Sequence, residues 1–93
     1  MKLKNQIAST LKAAGIFQGE FAELVGVSRV MVNRYISRGQ MPQGNNLRRL
    51  EYTLKVLNGL VEKGRLPLPE DHDSERRAKA IAKIKNFLDA RAS

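Results

Sequence analysis

Between positions 28 and 38 the chain has hydrogen-bonding side chains at helical spacing and no acidic residue. On a helix, Val32, Tyr35 and Ile36 would point inward and leave the other face mostly polar. Guanidinium, amide and methyl groups are the groups that recognise guanine, adenine and thymine in the major groove of DNA. We therefore expect the residues of the outward face to contact bases: Ser28, Arg29, Val30, Asn33, Arg34 and Ser37.

The members of this face are expected to differ in their contacts. Arg29 is nearer the helix N-terminus and is expected to donate to guanine O6 and N7, whereas Arg34 is expected to be shared between bases and the backbone. Asn33 would pair with adenine, and Val30 would contact a thymine methyl group. The alternative is that some of the arginines contact phosphate only.

Two short helical segments, predicted over 18–25 and 28–37, must position this face. Gly26 suits a reversal with positive φ, Ser28 can cap the second helix, and Ala22 provides a small side chain where the helices approach. Apolar residues at helical intervals form the shared core, namely Phe21, Leu24, Val25, Val27, Val32, Tyr35 and Ile36. This layout is typical of a helix-turn-helix, whose second helix lies in the major groove.

These residues resemble the Cro and repressor family of phage and bacterial helix-turn-helix proteins. The resemblance covers about positions 3 to 61 and rests on Gln18, Ala22, Gly26, Val27, Val32, Tyr35, Gly39, Pro42 and the leucine-spaced helix that follows. It implies an all-α fold, a five-helix lambda-repressor-like DNA-binding domain with an extra C-terminal helix. Phe17 is a departure, because members often have a serine or threonine at that place.

A second group of residues is expected to contact phosphate. The family resemblance gives this role to Gln18, at the start of the first motif helix, and the dipole of that helix independently favours an anion. Arg38 is expected to contact phosphate because it closes the second motif helix. Candidates for the opposite phosphate wall, with a solvated loop as the alternative, are Gln40, Gln43, Asn45, Asn46 and Arg49.

The remaining helices follow from the same periodicity. The first helix runs from Leu3 to Ala14 and stops at Gly15, and a fourth is capped by Asn45 or Asn46 after a turn-rich connection. Its apolar stripe is expected to be core: Leu47, Leu50, Leu54, Leu57 and Val61. The chain thus divides into a DNA-binding domain over 1–62, a proline-containing linker or arm over 63–73, and a helix over 74–93.

The last helix is amphipathic and opens at Ser74. Its apolar stripe must be buried, either by folding back on the domain or by pairing with the same helix of a second subunit. We favour pairing, because the four preceding helices already provide a core. A membrane-surface role for this basic helix is a third option. The predicted dimerisation residues are Ala78, Ile81, Ile84, Phe87 and Leu88.

Composition argues for a polyanionic partner and against catalysis. The net charge is +8, with the positive excess in residues 1–49 and 74–93. The chain has no cysteine and one histidine, His72, so we expect no metal site and no cofactor. Glu20 and Glu23 are predicted to be a solvated pair rather than an acid/base dyad, so we do not expect an enzyme. Without a long apolar run or a signal peptide, a cytoplasmic protein associated with the nucleoid is predicted.

These features predict a sequence-specific double-stranded DNA-binding transcriptional regulator, a dimeric repressor of phage or plasmid type on an inverted-repeat operator at its own or a neighbouring promoter. Within this class, an antitoxin-type or anti-CRISPR-associated autorepressor that also binds a protein partner is an alternative. From another class, a protein-interaction module that lost DNA recognition would have an acidic or apolar outward face. A nonspecific architectural protein would favour many lysines there.

Overall fold

The computed structural model describes residues 3–67 and 74–92, which form five α-helices and no strand. The helices are α1 (Leu3–Ala14), α2 (Gln18–Val25), α3 (Arg29–Arg38), α4 (Asn45–Glu62) and α5 (Ser74–Ala92). The all-α class is confirmed, and the predicted helix positions agree to within one or two residues, with α3 displaced by one residue and α4 beginning at Asn45. His72 and most of the predicted linker lie outside the described residues.

The turn between α2 and α3 has the local chemistry that the sequence predicts. Gly26 ends α2 with φ 85°, in the left-handed region that glycine adopts without a Cβ clash, and its N–H donates to the carbonyl oxygen of Ala22 at 2.8 Å. The Ser28 hydroxyl accepts from the backbone N–H of Met31 at 3.2 Å. The glycine reversal and the serine cap are therefore confirmed.

The core lies around α2, which packs against α3, α4 and α5, while α1 packs against α3 and α4. Phe21, Leu24 and Val32 are completely buried there, and Tyr35 is nearly so. Three predicted core residues are only partly buried and lie at the edge of this cluster: Val27, Ile36 and Val61. Leu47 is also only partly buried. Because α3 buries only one side, its opposite side remains exposed.

The apolar stripe of α5 is buried in the core of its own chain, which corrects the preferred prediction for this helix. Ile81, Ile84 and Leu88 are 4%, 9% and 0% exposed, whereas Ala78 and Phe87 are exposed. The first three are therefore not a surface for a second subunit. The helix takes the alternative course and folds back on α2, so the first four helices alone do not complete the core.

The chain after α4 also packs on the domain. Leu66 is 5% exposed and belongs to the core cluster, and the backbone N–H of Arg65 donates to the carbonyl oxygen of Leu60 at 2.9 Å. The predicted linker is thus not a free arm over its first residues, because Leu66 holds it against the core.

One arginine ties the start of α5 to the start of α2. Arg77 donates to both carboxylate oxygens of Glu20 and to the carbonyl oxygen of Gly15. Its guanidinium group also lies 4.3 Å from the centroid of the Phe17 ring. Glu20 is therefore ion-paired with α5, which corrects the prediction of a solvated pair with Glu23.

Candidate nucleic-acid interface

The outer face of α3 contains all six residues predicted to contact bases, and each of them is exposed: Ser28, Arg29, Val30, Asn33, Arg34 and Ser37. Val30 is 61% exposed although it is a large apolar residue. Val32 and Tyr35 anchor the opposite side of the helix, and burial raises the pKa of the Tyr35 phenol. The face is therefore a surface with cationic, amide and apolar groups on a helix that the core holds in place.

The N-terminus of α2 lies against this outer face. The Asn33 side-chain amide donates to the Gln18 side-chain oxygen at 3.5 Å, a long contact that keeps the two amides side by side. A Cβ atom built on Gly19 would lie 3.9 Å from Cδ of Arg29, so the arginine stem passes close to the first turn of α2. The structure thus joins Gln18, which was predicted to contact phosphate, to two predicted base-contacting residues.

The two serines of the face retain different hydrogen-bonding capacity. Ser28 accepts from a backbone N–H through its hydroxyl oxygen, so its hydroxyl proton is still available to an acceptor. Ser37 donates its proton to the carbonyl oxygen of Asn33 at 2.8 Å, so its oxygen can only accept from a partner. Ser28 can therefore donate to an acceptor on a bound molecule, whereas Ser37 can accept from a donor.

Most of the predicted phosphate contacts are exposed at or beyond the C-terminal end of α3. They are Arg38, Gln40, Gln43, Asn45 and Asn46. Neither asparagine caps α4, since the cap position is Gly44 and no side chain bonds there. The prediction of an asparagine cap is therefore wrong, and the two amide side chains project from the first turn instead.

Arg49 does not belong to this group, which corrects its predicted role. Its Nε donates to the carbonyl oxygen of Leu24 at 3.0 Å, and its Nη2 pairs with Oδ1 of Asp89 at 2.7 Å. The side chain is 18% exposed. The last carbonyl groups of a helix have no partner within it, so Arg49 satisfies the end of α2 and joins it to α5.

Lys4 is a cationic residue of this region for which the sequence predicts no role. A Cβ atom built on Gly39 would lie 3.6 Å from Cδ of Lys4, which places the lysine stem beside the C-terminal end of α3. The C-terminal end of α3 carries a partial negative charge that favours a cation. Arg38, which precedes Gly39, is a second cation at this end. The sequence shows a lysine in the first helix but does not place it beside α3, because this contact depends on how α1 packs on α3.

Among residues 3–67 and 74–92, no three metal-ligating side chains come together to hold an ion. None of the helices in those ranges is long and apolar enough to cross a membrane. No protein-family model, curated protein or solved structure matches the chain.

Proposed function

We propose that this protein is a sequence-specific double-stranded DNA-binding transcriptional regulator of the lambda-repressor-like type, with α2 and α3 as its helix-turn-helix. The observation that carries the proposal is the outer face of α3. This exposed face, with Arg38 at the end of the helix, has three arginines, one asparagine and no acidic residue, and the same helix is anchored in the core by its other side. An exposed helix with these groups matches the donor and acceptor pattern of the major groove.

Base recognition in this proposal belongs to the first turns of α3. Arg29 donates to guanine O6 and N7, Asn33 pairs with adenine, and Val30 contacts a thymine methyl group. Each good bidentate pair discriminates against the wrong base by about 1 to 3 kcal/mol. The contact between Asn33 and Gln18 supports this assignment, because it restrains the asparagine amide before DNA arrives.

Phosphate binding belongs to the two ends of the motif. The backbone N–H groups at the start of α2 and the side chain of Gln18 are suited to a phosphate group of one DNA strand. Arg38 and Lys4 lie at the C-terminal end of α3. They supply cations that contact other DNA phosphates and release their counterions. These contacts set the position of α3 in the groove but carry no base preference.

The proposal includes two copies on an inverted repeat, with half-sites one helical turn apart, and repression of the promoter that they occupy. A single module of this size contacts too little DNA for high affinity at physiological salt. Since Ile81, Ile84 and Leu88 are used inside each chain, the copies would meet through other surfaces.

The test is enrichment of random DNA duplexes on the purified protein, followed by sequencing. We expect one enriched sequence with two-fold symmetry. Arg29→Ala should relax the preference at one position in each half-site by about 1 to 3 kcal/mol. Lys79→Ala removes an exposed cation from α5 and is the matched control, which should leave the preference unchanged.

Failure to enrich any sequence would overturn the proposal. Equal loss of preference in the Arg29 and Lys79 variants would do so as well, because it would indicate binding by general charge alone.

A further inference from the structure

A groove with an apolar floor separates α4 from α5. Both helices pack on α2, and the space between them has a volume of about 650 Å³. Leu66 and Ile84 are buried in its floor, and Phe87 stands at its edge with 47% of its surface exposed. Further apolar lining comes from Val56, Leu60 and Ala80.

The rim of this groove is positively charged. Lys55 lines it from α4, Lys63 and Arg65 line it from the segment after α4, and Lys83 lines it from α5. None of the lining residues that the structure describes is acidic. An apolar floor between two cationic edges is complementary to a ligand with an apolar stripe and carboxylates on both sides of it.

We propose that the groove between α4 and α5 binds an acidic amphipathic helix of another protein. The lining along α4 runs from Tyr52 to Lys63, the residue after its end, and at a rise of about 1.5 Å per residue this is about 16 Å, or about three turns of a helix. A bound helix would place apolar residues at positions i, i+3, i+4 and i+7 on the floor. Its glutamates or aspartates would reach the lysines and the arginine of the rim.

A second copy of this chain is a poor occupant of the same groove. A two-fold axis would bring each patch against itself, so that Lys55, Lys63, Arg65 and Lys83 of one copy would face the same cations of the other. Like charges placed together across an interface oppose association. The net charge of +8 adds to this repulsion.

The proposed site is separate from the candidate nucleic-acid interface. None of its lining residues belongs to α3 or to the first turn of α2. The inference therefore goes beyond the proposed function and does not depend on it, since a partner helix on α4 and α5 would leave the outer face of α3 open.

The experiment uses the full chain and a fluorescein-labelled synthetic peptide. The peptide is a helix with leucines at i, i+3, i+4 and i+7 flanked by glutamates, and the control peptide has the same composition in scrambled order. We expect fluorescence anisotropy to report binding of the patterned peptide only. Lys83→Glu should weaken binding by about tenfold or more, because it reverses a charge on the rim.

Lys79→Glu is the matched control variant, because Lys79 is an exposed lysine of the same helix outside the groove. Its effect should be at most about twofold. Phe87→Ala should also weaken binding, whereas Val30→Ala, at an exposed apolar residue of α3, should not. Circular dichroism of each variant would confirm that it folds.

Chemical shifts of backbone amides locate the peptide independently of the variants. Binding in the groove should shift the amide signals of Gly59 and Ala80. Shifts confined to α3 would overturn the proposal, because they would place the acidic peptide on the basic outer face. Equal binding of the scrambled peptide, or equal losses for Lys79→Glu and Lys83→Glu, would overturn it too. A dimer that Phe87→Ala converts to a monomer would assign the groove to a second copy instead.

Discussion

Arg77 holds Glu20 through both carboxylate oxygens, with its Nε and Nη2 each at 2.7 Å. The two side chains are 21% and 20% exposed, so the pair is largely removed from water. A charged group at such a site is costly when its partner is absent. The stability of the first turn of α2, where Gln18 and the candidate interface begin, therefore depends on the position of α5.

The coupling within this pair is measurable by a double-mutant cycle with Arg77→Met and Glu20→Gln. We expect the two single variants to lose more stability together than the double variant, with a coupling free energy of about 1 to 3 kcal/mol. Urea unfolding followed by circular dichroism gives the free energies. Lys79→Met, at an exposed cation of the same helix, should change stability very little. Strictly additive effects would mean that the ion pair contributes nothing.

Arg38 and Arg49 should differ in their effect on DNA binding, although the sequence predicts phosphate contact for both. Arg38 is exposed, so Arg38→Ala should make the negative slope of log K against log salt shallower by about one. Arg49 is held by Leu24 and Asp89, so Arg49→Met should reduce stability and leave the slope unchanged. Binding to the enriched duplex over a salt series, below the melting temperature of each variant, checks this. A shallower slope for Arg49→Met would contradict it.

Two glycine substitutions should change stability in opposite directions. Gly26 has φ 85° with no heavy atom within 4 Å of an added Cβ, so Gly26→Ala should cost about 1 to 2 kcal/mol through backbone strain alone. Gly59 lies inside α4 and also has open space, so Gly59→Ala should stabilise the fold by about 0.5 to 1 kcal/mol. Thermal or urea unfolding measures both. Equal effects would be inconsistent with the left-handed conformation at Gly26.

Leu88→Ala tests whether α5 belongs to the core or to a dimer interface. Leu88 is 0% exposed, so we expect a loss of about 2 to 5 kcal/mol in the free energy of unfolding. The molar mass from light scattering should not change. Phe87→Ala is the control on the next residue, which is 47% exposed and should cost less stability. A halved mass with unchanged monomer stability would show that Leu88 acts between subunits.

Stability should fall at alkaline pH because of Tyr35. Burial raises the pKa of its phenol, so the folded protein keeps the proton at a pH where the unfolded chain has lost it. The contribution is complete below the unfolded pKa of about 10 and is lost as pH rises from there through the folded pKa. Tyr35→Phe has no such proton, so its stability relative to the parent protein should rise over that range. Urea unfolding between neutral and alkaline pH would reveal this change, and a constant difference would contradict it.

The local chemistry of α2, α3 and the turn between them was predictable from the sequence. The helical spacing of Phe21, Leu24 and Val32 identifies the buried sides of α2 and α3 and leaves the outer face of α3 by exclusion. Gly26 and Ser28 mark the turn because their roles depend on backbone conformation and neighbouring N–H groups. All six predicted base-contacting residues are exposed for the same reason.

The long-range contacts could not be predicted in this way. Arg49 has the same side chain as Arg38. The two differ because Arg49 binds Asp89 and the carbonyl oxygen of Leu24 at the end of α2, which only the fold brings close to it. Arg77 and Glu20 are 57 residues apart, and no periodicity relates them. The groove exists only because α4 and α5 pack side by side on α2.

The amino-acid sequence by itself determined the helix bounds to within one or two residues and which side of each helix is apolar, because these properties depend on residues within a few turns of each other. The tertiary structure alone decided which surface covers each apolar side. The stripe of α5 is equally suited to a second subunit or to its own α2, since burial of apolar area does not distinguish between partners. Folding back buries Ile81, Ile84 and Leu88 within one chain and leaves the outer face of α3 and the groove exposed.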